Sequence, residues 1–229
     1  QSKNPLIAHA LGEADGKIET NSKEAFLTSW QNGFRAVEAD FTYTSDGTLV
    51  VRHDFEKDGS YYRLEIKPSG SLVMDTKTFT STPAVYEQTP MTAVDLLYLM
   101  QEYPDMYLIT DTKTTDKAQV QRQFRDLVNI ANNIGSPEIL SRIIPQLYNK
   151  EMLSWIKEIY PFENLIFTLY LYANPNYGDI ANFCAANGID TVTLHIDRAK
   201  KENISKLKAK GLKVYAHTVN RYRIFEDAL

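Results

Sequence analysis

Short runs of β-branched and apolar residues alternate along this chain with longer amphipathic stretches, and that alternation restricts the fold more than any other feature. Extended runs separated by helical ones favour a parallel sheet, because parallel neighbours need a long crossover that a helix supplies. Strands are expected at Leu6–Ala10, Ala36–Thr42, Met106–Thr112, Ile143–Tyr148, Leu165–Tyr172, Thr191–Ile196 and Lys213–Thr218. Helices are expected at Ser22–Asn32, Thr92–Tyr103, Asp116–Asn133, Lys150–Ile159, Asn176–Ala186 and Glu202–Ala209. Asn21 or Ser22 suits the cap of the first helix, and Gly33, Gly135, Gly188 and Gly211 each follow a helical run where a C-terminal glycine belongs. The fold class is therefore α/β, a TIM-type (β/α) barrel in a single domain spanning 1–229. Its 229 residues suit that fold, which typically takes roughly 250.

Two irregularities interrupt the pattern. Asp54–Pro90 is long for a βα connection and rich in Tyr, Thr, Gly and Lys. Loops of that length are usually functional, so an insertion over the barrel mouth is expected at about 55–90. Its Tyr61–Tyr62 pair, loop-borne and flanked by polar residues, is better placed to meet a substrate than strand tyrosines such as Tyr148, Tyr170 and Tyr172, which read as packing and rim. The second irregularity is at the end. The sequence stops at Leu229 just after RYRIFEDAL, and an eighth barrel strand is missing from it. Either the natural chain continues or the barrel is open there.

Composition removes several function classes. Hydrophobic residues make up 43%, enough for a sizeable core, and the net charge of −4 comes with no basic stripe, so nucleic acid is not an expected partner. Cys184 is the only cysteine, which excludes an internal disulfide and a thiolate metal cage; its apolar helical setting, DIANFCAANGI, reads as packing. No apolar run approaches the roughly 20 residues of a membrane span. The opening Gln-Ser-Lys-Asn-Pro lacks an initiator Met and a signal-like apolar region, which is compatible with a removed leader or anchor. An extracytoplasmic or secreted setting is expected ahead of a cytoplasmic one.

The chemistry concentrates at strand ends. All four histidines lie there: His9 at the end of the first strand, His53 at the end of the LVVRHD run, and His195 and His217 at the ends of the sixth and seventh. In a (β/α) barrel the active site sits at the C-terminal ends of the strands. A lone histidine is more often a packing or surface residue, and for His195 and His217 both readings stay open. His9 and His53 have more suggestive neighbours. Glu38 and Asp40 in VEADF are two apart on a strand and so share a face, while Val37, Ala39 and Phe41 take the other. In ITDTK, Asp111 and Lys113 share a face in the same way. Three converging carboxylates make a hard-oxygen site suited to Mg²⁺ or Ca²⁺. The alternative is a metal-free network in which Lys113 and Arg52 neutralise the acids.

The segments IAHALG, TNSKEAF, GFRAVEADFTYTSDGTLVVRHD, TPMTAVDLL, YLITDTK and VYAHTVN, in that order, resemble the glycerophosphodiester phosphodiesterase family. The resemblance runs from about Leu6 to Asn220 and is most specific from Gly33 to Asp54. It implies a phosphoric diester hydrolase of lipid metabolism, acting on glycerophosphodiesters or related alcohol-phosphate esters, with one divalent cation, Ca²⁺ or Mg²⁺. His9 and His53 would match the general acid and base, Glu38, Asp40 and Asp111 the metal ligands, and Lys113 the phosphate-contacting lysine. His217 and Arg52 are further substrate-binding candidates. Two positions depart from the family pattern. Ala10 stands where an arginine commonly follows the first histidine, so Arg52 or Lys113 is expected to take over its load on the phosphate. Asp111 stands where many members carry Glu, a change that related sphingomyelinase D-like enzymes share. The rival readings are phospholipase D-like cleavage of a lipid headgroup on the same fold, and a catalytically inactive barrel used as a binding module.

Overall fold

The computed structural model describes residues 6–55, 73–84 and 87–217. Its main sheet has eight strands, mostly parallel. The ten strands in chain order are β1 (Glu13–Ala14), β2 (Lys17–Ile18), β3 (Ala36–Tyr43), β4 (Leu49–Val51), β5 (Met91–Thr92), β6 (Tyr107–Asp111), β7 (Ile143–Leu147), β8 (Ile166–Thr168), β9 (Thr191–His195) and β10 (Lys213–His217). β1 and β2 form a separate hairpin, and the main sheet runs β10-β9-β8-β7-β6-β3-β4-β5. β3, β6, β7, β8, β9 and β10 pair in that order as parallel neighbours, whereas β4 and β5 add an antiparallel flank beside β3. The fold is α/β, as the alternation predicts. Among the described residues the ring of strands is not closed.

Among the described residues seven α-helices accompany the strands: α1 (Lys23–Gln31), α2 (Thr76–Ser81), α3 (Ala93–Glu102), α4 (Lys117–Asn133), α5 (Met152–Lys157), α6 (Tyr177–Ala186) and α7 (Lys201–Lys208). Their boundaries follow local chemistry. Ser22 caps α1 by accepting the Ala25 N–H, and Thr92 and Asp95 form a reciprocal capping box at α3. In α4, Val120, Phe124, Leu127 and Ala131 recur at helical spacing on one face and are buried. These helices cover the outward residues of the strands. Val37, Ala39 and Phe41 of β3, Leu108 of β6, Phe167 of β8, and Val192 and Leu194 of β9 join one apolar core with them. Cys184 lies in that core, and burial pushes its thiol up to about 11, so the packing reading holds.

Two expected strands are shorter than the sequence suggests, each for a local reason. The first shrinks to a single parallel bridge, Ala8 to Val37. Directly after it, Ala10 and Leu11 adopt left-handed φ values of 48° and 66°, which turn the chain before a ladder can extend. The fifth expected strand stops at Thr168, whose hydroxyl accepts the Tyr170 N–H while the chain turns back through Tyr172 N–H to the Leu169 carbonyl. Within the expected insertion, the described part carries α2, whose Phe79 packs with Val50, Phe55 and Met74 in a small second core. Tyr61–Tyr62 lie outside the described residues, as does Thr218 at the end of the last expected strand. No described helix is long and apolar enough to cross a membrane.

Candidate active site

β3 and β6 lie side by side in register, with Asp40 opposite Asp111 and Glu38 two residues back on the same face as Asp40. All three carboxylates are buried, and one oxygen of each lies within 4.8 Å of the others. Strand alternation alone sends these side chains away from the helix-covered core. The spacing in VEADF and ITDTK therefore did bring three acids to one point.

Their partners separate the three chemically. Lys113 Nζ lies 2.6 Å from both Asp40 Oδ1 and Asp111 Oδ2. The lysine reaches them through a turn rather than along the strand: β6 ends at Asp111, and Lys113 takes a φ of 53° while donating its N–H to Asp111 Oδ1 at 3.0 Å. Asp40 Oδ2 also accepts from Asn21 Nδ2 at 2.7 Å. Burial disfavours the Asp40 anion, but Lys113 and Asn21 outweigh it and hold the carboxyl below its ordinary range. Glu38 behaves oppositely. Burial and the charges of Asp40 and Asp111 raise its pKa well above the usual glutamate value, against the pull of Lys113 and of the Ala10 N–H, which donates to Glu38 Oε2 at 2.9 Å. Lys113 is desolvated as well, yet Asp40, Asp111 and Glu38 raise its pKa and keep it charged.

His9, His53 and His217 each lie near enough to the acids to interact with them. His9 Nε2 is 3.9 Å from Glu38 Oε2, and the His9 side chain is 43% exposed. His53 is partly exposed, and its Nδ1–H donates to the Asp54 carboxylate. Its charge also contributes to lowering the Asp40 pKa. His217 and His195 face each other with ring centroids 5.9 Å apart. Burial, with the charges of His195 and His9, lowers His217 to about 4, and its Nε2 is buried without a hydrogen-bond partner among the described residues. Arg52 is buried: Nε donates to the Asp54 carbonyl at 2.6 Å and the guanidinium lies 4.9 Å over Phe55. Those contacts tie it to the turn carrying His53. Lys113 forms ion pairs with two of the acids, Asp40 and Asp111.

Two site residues carry roles the sequence reading did not give them. Asn21 reads there as one of two possible helix caps; Ser22 takes the cap, and Asn21, at a φ of 51°, holds Asp40 by side chain and backbone alike. Tyr148 reads as packing, yet its hydroxyl donates to Asp111 Oδ1, and burial followed by the Asp111 charge raises its pKa. Tyr148 packs in the core as expected, and continuing the alternation of β7 past Leu147 puts it with Gln146 on the face opposite Ile143 and Leu147.

Residues 14–61 match the model of the Glycerophosphoryl diester phosphodiesterase family. The chain resembles this family in both sequence and fold. A candidate glycerophosphoryl diester phosphodiesterase from Agrobacterium tumefaciens aligns over 97% of this chain and 88% of its own, with a TM-score of 0.76 and 17% identity. One from Silicibacter pomeroyi aligns over 96% and 84%, with a TM-score of 0.75 and 18% identity. An Oleispira antarctica phosphodiesterase, solved with the product sn-glycerol-3-phosphate, aligns over 96% and 87%, at 0.74 and 17%. A comparison with curated proteins found no match. The family is one of phosphoric diester hydrolases, and its model covers the segment from Gly33 to Asp54 that carries Glu38, Asp40 and His53. Asp111, Lys113 and His9 lie outside that match.

Proposed function

We propose that this protein is a metal-dependent phosphodiester hydrolase on a TIM-type (β/α) barrel scaffold, acting on glycerophosphodiesters or related alcohol-phosphate esters. One observation carries the reading: three buried carboxylates converge beside a single lysine, with His9 and His53 at their border. Three acids against one cation leave a negative excess that is costly to bury unless a cation joins it. Burial first, and then the charges of Asp40 and Asp111, raise the Glu38 pKa. An all-oxygen donor set fits a hard divalent ion such as Ca²⁺ or Mg²⁺, so Glu38, Asp40 and Asp111 are the residues that would hold it. When bound, the ion supplies charge neutralisation to phosphoryl oxygens.

The remaining residues have tasks the chemistry requires. Attack on a phosphodiester forms a new P–O bond and breaks the one to the leaving alcohol, so one group takes a proton from the nucleophile and another gives one to the departing oxygen. Histidines suit both tasks near neutral pH. Asp54 holds His53 Nδ1, which leaves Nε2 to exchange that proton. Lys113 offers charge to a phosphate oxygen, a load the resemblance would share with an arginine at the position of Ala10. Ala10 is buried and its N–H is committed to Glu38. Arg52 and His217 are proposed to contact the substrate at the margins.

The test is hydrolysis of a panel of glycerophosphodiesters by the wild type and by His9→Ala and His53→Ala. Each substitution is expected to lower kcat by roughly 10²–10⁴-fold with the far-UV spectrum and Tm unchanged, because neither side chain belongs to the core. Near-normal turnover in either folded variant would show that the proton carrier had been misassigned.

A further inference from the structure

The turn after β8 presents Tyr170 and Leu171 to solvent, 63% and 56% exposed. They follow the C-terminal end of a parallel strand, at the same end of the sheet as Asp111, His195 and His217. Two ring contacts connect Tyr170 to the candidate site. Its ring lies 6.5 Å from that of Tyr148, whose hydroxyl binds Asp111, and 6.1 Å from that of His217. The turn is also fastened from below. Arg198, on the segment after β9, donates to the Leu169 carbonyl at 2.9 Å and to the Tyr172 carbonyl, and the Tyr170 N–H is held by Thr168. A guanidinium clamped on both ends of a four-residue turn keeps its two middle side chains pointed outward. Adjacent apolar side chains held in water beside a polar site are a preformed contact surface whose ordering cost is already met by the fold.

Resting on the phosphodiesterase reading, we propose that Tyr170 and Leu171 are specificity-determining residues that receive an alkyl chain on the ester, so the preferred substrate is an amphiphilic phosphate ester rather than a small hydrophilic one. With the phosphate at the acid cluster, a substituent extending past Tyr148 reaches Tyr170, whose ring is 6.5 Å from that of Tyr148, with exposed Leu171 next in the turn. Covering a leucine and part of a tyrosine ring with methylenes tightens binding by about tenfold or more.

Calorimetry with Ca²⁺ present compares octyl phosphate, kept monomeric, with glycerol 3-phosphate on the wild type, Leu171→Ser, Tyr170→Phe and the double variant Tyr170→Ser/Leu171→Ser. The wild type is expected to bind octyl phosphate at least tenfold tighter. Leu171→Ser should lose part of that preference, the double variant nearly all of it, and Tyr170→Phe should retain it, while glycerol 3-phosphate affinity stays unchanged throughout. Equal wild-type affinities, a preference that survives the double substitution, or a proportional loss of both ligands would overturn the inference. Binding of neither ligand by the wild type would instead overturn the phosphate-site reading beneath it, and this proposal with it.

Discussion

At the scale of single residues the site is governed by unequal sharing of one cation. Lys113 serves Asp40 and Asp111 equally at 2.6 Å, whereas Glu38 accepts a backbone N–H and has His9 Nε2 3.9 Å away. That inequality has a measurable consequence in metal-free protein. Between the ordinary glutamate value of 4.5 and its raised folded value, Glu38 binds a proton more readily in the native state than in the unfolded chain. Stability is then fully present below 4.5 and falls as pH rises through the folded pKa. Asp40 has the opposite sign: its lowered pKa contributes stability above the ordinary aspartate value, lost as pH falls through the folded one. Glu38→Gln keeps an acceptor for the Ala10 N–H and removes the charge. In chelator near neutral pH it should melt above the wild type, and its Tm should flatten across the window in which the wild type declines. A lower Tm for the variant there would mean that Glu38 is stabilised as an anion by groups other than those identified.

At the scale of elements, position in the fold follows from the sequence where period and function agree. The two-residue spacing of Glu38 and Asp40 was legible, since it rests on strand alternation, whereas the register that sets Asp40 opposite Asp111 depends on the strand pairing itself. Alternation gives the face of Tyr148 but not its hydrogen bond, because a tyrosine at a strand end looks alike whether or not its hydroxyl finds a carboxylate. Asn21 was hidden for a related reason: caps and left-handed turns favour the same residue types. The truncation of the first strand was likewise illegible, since nothing in IAHALG announces two successive non-glycine residues with positive φ. Gly12 completes that turn at a φ of 109°, and an added Cβ would fall 2.0 Å from Ser29 Oγ. The Ser29 hydroxyl itself donates to the Leu11 carbonyl at 2.7 Å, so α1 is bolted to the turn that aims His9. Gly12→Ala combines a disfavoured backbone with a clash and should cost about 1–3 kcal/mol in denaturant unfolding, with activity falling further than stability alone explains. An unchanged midpoint would show that the turn relaxes freely.

At the scale of the whole molecule, the helices and the outward strand residues carry the apolar core, while the acids collect on the opposite side of β3 and β6. This division lets a stable α/β scaffold hold a site that is electrostatically unfavourable when empty of cations. Family resemblance, the shared fold of solved relatives and the acid cluster point the same way, but the cluster alone ties this chain's own residues to the chemistry. The most direct test is therefore a titration of chelated protein with Ca²⁺ or Mg²⁺, following hydrolysis of a glycerophosphodiester. The account predicts no turnover after chelation and saturable recovery with one ion per chain, and no recovery for Asp40→Asn or Asp111→Asn at the same concentrations. Full activity in chelator, or none at any concentration of either ion, would contradict it.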